Sequence, residues 1–385
     1  MHDSVGLQAL AIAVPDHVVT NDHWRQTQPE LVARAEERIW MWKKPASLQE
    51  GGSEAFNVEM APFLGDPFRG VVERRRLAPE EKVLPLEVDA AQRALDAAGL
   101  DPEAIDLLLC TSFLPDEPGI GGAAHLARAL GLRGAAWNLE SACSSSNIAL
   151  HTACSLVRAG QHRRVLVVTS CAYSKVAPDS DPISWGVGDA AAAMIVAETR
   201  TGIGMLGSHS IHSGNTCGAV AYHFDLDSEG QPYLHMQTGR TASKLLRETS
   251  EPHLKICTEN ALRKAGVSLS EIDFCVFNTP LAWYAPFCAR ALGIDPAKTI
   301  NMYPMYANVG PCLLGVNLFH AAHWRLSPDD LVLIYTVGSV SSCAASVVRW
   351  GDVALGELPA GCSIDDYQRV TSTFPQVSPT FAAAA

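Results

Sequence analysis

The chain has 385 residues, 48% of them hydrophobic and 18% charged, enough to bury a large core and too apolar for an intrinsically disordered polymer. That length exceeds one small core and predicts two packed halves. A formal net charge of −12 excludes a general nucleic-acid binder, which needs surplus lysine and arginine on the phosphates.

The chain starts Met1-His2-Asp3 without a basic leader, and the apolar stretch 5–14 is too short to cross a bilayer. A cytoplasmic protein is expected. The 11 cysteines are scattered, with no pair at the two-residue spacing of a zinc or redox motif. Several, such as Cys110, Cys275 and Cys288, sit in apolar runs, where cysteine behaves as a small hydrophobe. A reducing compartment follows. Residues 28–70 read as irregular, with Trp40, Trp42, Pro45, Gly51 and Gly52. Long irregular segments are often lids or binding loops. Arg74, Arg75 and Arg76 form a short basic run, read first as a solvated face and second as a contact for a phosphorylated carrier.

An internal repeat organises the rest. Ala94-Leu95, Ala98-Gly99 and Ile105-Asp106 recur as Ala261-Leu262, Ala265-Gly266 and Ile272-Asp273, a constant offset of 167 (94 to 261, 99 to 266, 105 to 272). Residues 165–167 meet 332–334 at the same offset. Each copy predicts a helix ending at a glycine, a polar loop, an apolar strand (107–110; 274–277), a second helix, and a second strand (165–168; 332–335). Alternating strands and helices imply sheets sandwiched between helices. The expected architecture is an N-terminal half over 1–200, a C-terminal half over 201–361, and a loosely ordered tail over 362–385. Residues 171–188, rich in Asp, Ser, Pro and Gly, have no counterpart in the second copy.

Cys143, in Glu140-Ser141-Ala142-Cys143-Ser144, stands just before a helix pattern at 148–157. A helix N-terminus favours a thiolate, which can attack a thioester. Gly202-Ile203-Gly204-Met205-Leu206-Gly207 matches a dinucleotide-binding fingerprint. It runs into an alternating, strand-like stretch, so that reading is rejected. No HExxH is present, and no metal is inferred. His320 and His323, three apart on a predicted helix, read as packed or solvated.

Three ordered motifs carry a family resemblance: Ala142-Cys143-Ser144, Gly186-Val187-Gly188-Asp189-Ala190-Ala191, and Tyr306-Ala307-Asn308-Val309-Gly310. Together with the duplication they resemble the thiolase superfamily, and within it the β-ketoacyl-acyl-carrier-protein synthase III group, over residues 5–352. The resemblance implies a layered α/β fold of two duplicated halves, with mixed, mainly parallel sheets between helices. It makes Cys143 the nucleophile and Asn308 a group that binds substrate carbonyls. The glycine-bearing stretch 186–189 is a tight structural turn. Backbone N–H groups of Cys143 and of the loop Gly338-Ser339-Val340-Ser341, with Ser339 chosen by position, form the oxyanion site. The family's histidine follows a short apolar strand, and here Asn278 stands in its place. Asparagine cannot take a proton near neutral pH. Asn278 is therefore expected to position substrate by hydrogen bonding. Trp283 and Tyr284 either line a substrate pocket or pack the core. His209, His212, His223 and His235 are weak candidates for a replacement base.

The implied function is an acyltransferase without decarboxylation, loading Cys143 from an acyl-carrier-protein or coenzyme A thioester and passing the acyl group to a small-molecule acceptor. No cofactor is permanently bound. Family members with altered triads imply a specialised-metabolite (antibiotic-type) pathway. Two alternatives remain open at this stage: a decarboxylative condensing enzyme using Asn278 and Asn308, and a non-catalytic partner subunit of a ketosynthase complex. A homodimer is expected, and the apolar stretch 119–130 suits its interface.

Overall fold

The computed structural model describes residues 4–41, 53–117, 119–226, 228–239 and 241–372. The side chain of Trp40 and residues 42–52, with Trp42, Pro45, Gly51 and Gly52, lie outside the described residues. So do the first three residues and the terminal alanines.

The first copy runs β1 (Val5–Ala13), β2 (Val18–Thr20), α1 (Asn21–Thr27), α2 (Pro29–Met41), α3 (Glu54–Met60), β3 (Glu73–Arg75), α4 (Val83–Ala98), β4 (Leu107–Phe113), α5 (Gly122–Leu130), β5 (Ala135–Asn138), α6 (Ser145–Arg158), β6 (Arg164–Ala172) and β7 (Asp189–Glu198). The second runs β8 (Gly204–His212), β9 (Val220–Leu226), β10 (Pro232–Thr238), α7 (Ala242–Ala265), β11 (Phe274–Phe277), α8 (Tyr284–Leu292), α9 (Tyr303–Tyr306), α10 (Leu313–Trp324), β12 (Leu331–Gly338), β13 (Ser342–Arg349), β14 (Ala354–Leu355) and α11 (Ile364–Thr371).

One mixed sheet has the order β14-β1-β7-β6-β4-β5 and the other β8-β13-β12-β11. The second repeats the middle of the first strand for strand. Even the register is copied: Leu107 pairs with Val165, and Phe274 with Val332, each residue moved by the same 167 positions. The long helix of each copy stops where the sequence predicts, at Gly99 (φ 62°) and Gly266 (φ 71°). Only glycine takes that left-handed cap without strain.

Three apolar cores define five layers. Helices α4 and α5 cover the outer face of the first sheet. Helices α7 and α8 cover the outer face of the second. Between the sheets lie α6 and α10. Residues 313–321 of α10 are buried on every side, as a helix must be when apolar all round. The chain thus has the thiolase-like layered α/β fold. The glycine-rich stretch at 202–207 enters β8 rather than a helix.

Two sequence expectations are corrected. The arginine run is neither a solvated face nor a carrier contact. Arg74 is fully buried, stacked 4.4 Å over Trp24 and bonded to Asn21 Oδ1 at 2.9 Å. Arg75 donates to the carbonyls of Pro15 and Ala360, and Arg76 pairs with Asp179 at 2.6 Å. These guanidiniums have many donors and find backbone acceptors far along the chain. The tail is also not loose from 362 onward. Ser363 and Asp366 form a capping box that opens α11, and Val370 is fully buried.

Candidate active site

Cys143 sits at a sharp corner between β5 and α6. Ala142 before it takes φ +50°, a left-handed conformation costly for any residue but glycine. The corner is closed by its own side chains: the Ser141 N–H donates to Ser145 Oγ at 2.7 Å, and that hydroxyl donates to the Ala142 carbonyl at 2.6 Å. The polar run after the cysteine then ties the helix to the second sheet. Ser144 Oγ donates to the Ser342 carbonyl at 2.9 Å, Asn147 Nδ2 to the Ala344 carbonyl at 3.1 Å, and Ser346 Oγ to Asn147 Oδ1 at 2.7 Å. Gly338, at the end of β12, backs this corner. A Cβ there would lie 2.8 Å from the Cys143 and Ser144 nitrogens, so no larger residue permits the approach.

Burial pushes the Cys143 thiol up to about 11, against hydrogen bonds to its sulfur from the Tyr173 hydroxyl and the N–H groups of Ser339 and Cys143. The helix N-terminus was expected to favour the thiolate; desolvation outweighs it, and the group is a thiol at neutral pH. Its two backbone N–H partners are the pair named from the sequence as oxyanion donors. Ser339 and Val340 both have positive φ, 47° and 65°, in the tight turn closed by the Ser341 N–H to the Gly338 carbonyl at 3.0 Å. A β-branched residue at such φ is strained.

Asn308 lines the same cavity as Cys143. Its N–H donates to the Gly186 carbonyl at 2.9 Å, and its carbonyl accepts from Gly188 at 3.0 Å, so the tight turn at 186–188 sets its position. Its Oδ1 accepts from the Gly310 N–H at 2.8 Å. The Nδ2 group is left as the side chain's available donor. Asn278 does not join them. It is fully buried and absent from the cavity wall. Its Nδ2 donates to the Val337 carbonyl at 2.8 Å, and its Oδ1 accepts from the Val337 N–H at 3.0 Å. A primary amide offers the same donor and acceptor as a peptide unit. Asn278 therefore extends the β11–β12 ladder by one false residue, and its amide is buried behind the cavity wall.

The cavity holds about 500 Å³. Its walls come from α3 (Phe56, Met60), the segment after β6 (Tyr173, Ile183, Trp185), the β9–β10 hairpin (Tyr222, Met236), the start of α7 (Leu246) and Trp283. Trp283 lies 5.8 Å from the Phe63 ring. Tyr284, its neighbour in sequence, does not line the cavity but packs in the core, 5.4 Å from Phe287. Arg69 is the one charged side chain of the wall among the described residues; burial lowers its pKa, with Asp66 opposing. No histidine belongs to the described wall. His209 and His212 lie on β8, and His223 and His235 face each other across the β9–β10 hairpin. His320 is buried against the Tyr306 hydroxyl at 2.8 Å, and desolvation lowers its pKa to about 3. His323 contacts the Gly356 carbonyl. Among the described residues no group of His, Cys, Asp and Glu could hold a metal, and no helix is long and apolar enough to cross a membrane.

Sequence reasoning missed Tyr173, Tyr222 and Arg69. Tyr173 lies inside the irregular stretch 171–188, which its composition had marked without naming a residue.

The family model for 3-oxoacyl-[acyl-carrier-protein] synthase III matches residues 137–214. A β-ketoacyl-[acyl-carrier-protein] synthase III from Erythrobacter litoralis is 28% identical over 288 residues, 73% of this chain and 88% of that protein. The fold is similar to that of the same enzyme from Thermus thermophilus, with a TM-score of 0.72 and 22% identity, covering 90% of this chain and 99% of that one. It is similar also to OleA from Xanthomonas campestris, solved with bound lauric acid and lauroyl-CoA, with a TM-score of 0.73 and 20% identity, covering 91% of this chain and 100% of that one. With the duplicated fold and the Cys143 corner, these matches make the chain similar to the β-ketoacyl-acyl-carrier-protein synthase III enzymes and show that it shares their thiolase-like fold.

Proposed function

We propose that the protein is an acyltransferase that works through a thioester on Cys143 and does not decarboxylate its donor. The Cys143 sulfur bonds to the carbonyl carbon of an acyl-carrier-protein or coenzyme A thioester. The donor's carbon–sulfur bond breaks, and the carrier leaves as a free thiol. A second nucleophile then takes the acyl group as an ester, amide or thioester, returning the cysteine. The N–H groups of Cys143 and Ser339, which favour negative charge at the sulfur, would serve as the oxyanion donors, and such donors supply the largest single share of stabilisation in acyl transfer. Asn308 Nδ2 is placed to hold a second carbonyl. The apolar wall suits an acyl chain, a reading supported by the lauroyl ligands bound to OleA.

The observation that carries this reading over condensation is the state of Asn278. Loss of CO2 from a malonyl unit leaves an enolate, and a pair of side-chain donors was to hold it. With the Asn278 amide paired to Val337 and buried off the cavity wall, only Asn308 remains on it. Condensation, the activity in the names of the relatives, is the reading to beat. Intact mass after incubation with acyl and malonyl thioesters tests both. The expected result is an acyl adduct on wild type, none on Cys143→Ala, and a malonyl adduct that keeps its carboxyl. Release of CO2 would overturn the reading.

A homodimer is part of the proposal. Edge strand β5 exposes Trp137 (41%), and Ile120 beside α5 is 72% exposed. Unpaired edges with apolar side chains invite a second chain. A monomeric mass by light scattering would refute it.

A further inference from the structure

The Cys143 thiol must lose a proton to react, and the described cavity wall holds no imidazole and no carboxylate. Of the ionisable side chains that share this wall with Cys143, the phenol of Tyr173 is the one whose hydroxyl favours the thiolate form of the sulfur. It lies just past the end of β6, is 4% exposed, and lines the same cavity. Its ring is held from two sides, edge-on by Phe113 (6.4 Å) and stacked by Tyr222 (6.4 Å, 20°). Its turn is fixed through the next residue: buried Asp189 accepts from the Ser174 N–H at 2.9 Å. The hydroxyl end is packed against Gly310, where a Cβ would meet Cys171 Sγ at 2.9 Å and the Tyr173 oxygen at 3.3 Å. A mere filler needs no such fixing at its polar end.

We propose that Tyr173 is a catalytic residue whose hydroxyl carries the thiol proton of Cys143 during acyl transfer. This rests on the acyl-enzyme reading above. As the sulfur bonds to the donor's carbonyl carbon, its proton passes to the Tyr173 oxygen. The phenol's own proton goes to the sulfur that departs. The phenol is neutral before and after, and the donor leaves as a free thiol, so no outside base is consumed. Burial holds the phenol well above its ordinary value of 10. It therefore acts as a relay and hydrogen-bond donor and not as a resting base.

The test is Tyr173→Phe, which keeps the ring between Phe113 and Tyr222. Two readouts are taken: acyl loading by intact mass, and the pH profile of iodoacetamide alkylation at Cys143, located by peptide mass. Loading should slow about a hundredfold. The alkylation midpoint should move up by about one pH unit, because the thiolate loses a donor. Tyr367→Phe, on α11 and outside the cavity wall, should change neither. Unchanged loading and an unchanged alkylation profile in Tyr173→Phe would overturn the proposal. If wild type loads no acyl group, the acyl-enzyme reading fails instead, and alkylation, which needs no substrate, still decides the role of Tyr173. Should Tyr173→Phe not fold, 3-fluorotyrosine at 173 replaces it. Its more acidic phenol should move the alkylation midpoint down, and an unmoved midpoint would overturn the proposal.

Discussion

The corner before α6 and the corner before α10 are counterparts in the two copies, and they have been put to different uses. Each places its functional residue directly after an alanine of positive φ, Ala142 (50°) before Cys143 and Ala307 (56°) before Asn308. In one copy the residue is the Cys143 thiol, whose ionisation is favoured by a hydroxyl and two N–H groups. In the other it is an amide pinned at its backbone by Gly186 and Gly188. The lesson is that the duplicated frame supplies the same strained geometry twice, while chemistry is assigned by the side chain and its neighbours. The strand ends differ in the same spirit. Strand β12 turns back through residues 339–341 and offers an N–H group. Strand β6 opens into the stretch 173–188, which builds a wall of the cavity.

Four substitutions sharpen that comparison. The largest effect is expected from Asn308→Asp. It keeps the acceptor for the Gly310 N–H and removes the Nδ2 donor, so transfer should fall by about a hundredfold or more with little change in Tm. An unchanged rate would leave Asn308 as a turn residue only. Asn278→Ala should act on the fold instead. It strands the buried N–H and carbonyl of Val337, at about 2–3 kcal/mol, measured by denaturant unfolding, while loading of the folded fraction persists. A loss of loading without loss of stability would return Asn278 to the chemistry. The smallest effect belongs to Ala142→Gly and Ala307→Gly. Each relieves a positive φ but loosens the unfolded chain, for a net gain of about 1 kcal/mol or less. Unequal gains would show that the two corners are not equally strained.

Much of this was legible in the sequence, for reasons that differ by residue. The duplication was visible because Gly99 and Gly266 cap equivalent helices and the strand registers share one offset. Cys143, Asn308 and Ser339 could be singled out because each lies in a local motif, and the structure brings the three to one cavity wall. Asn278 was misread because its partner, Val337, is set by strand pairing 59 residues away, which no local pattern encodes. The arginine run was misread for the same reason, its acceptors lying at Pro15, Ala360 and Asp179. The helix at 364–371 was missed although Ser363-x-x-Asp366 is a readable start signal; the Ser/Thr/Pro composition around it drew the eye. Tyr173 gave no signal of its own, since its role depends on the sulfur it meets in space.

The side-chain bonds from α6 to β13 carry a consequence for how such a protein can be divided. Cys143 is encoded by the first copy, yet the rows of atoms that fix its height and angle, at Gly338, Ser342, Ala344 and Ser346, are encoded by the second. Severed between β7 and β8, the chain would yield one fragment that owns the cysteine and another that owns its reference frame. Neither ancestor-like piece is half an enzyme; the reactive unit exists only at the seam.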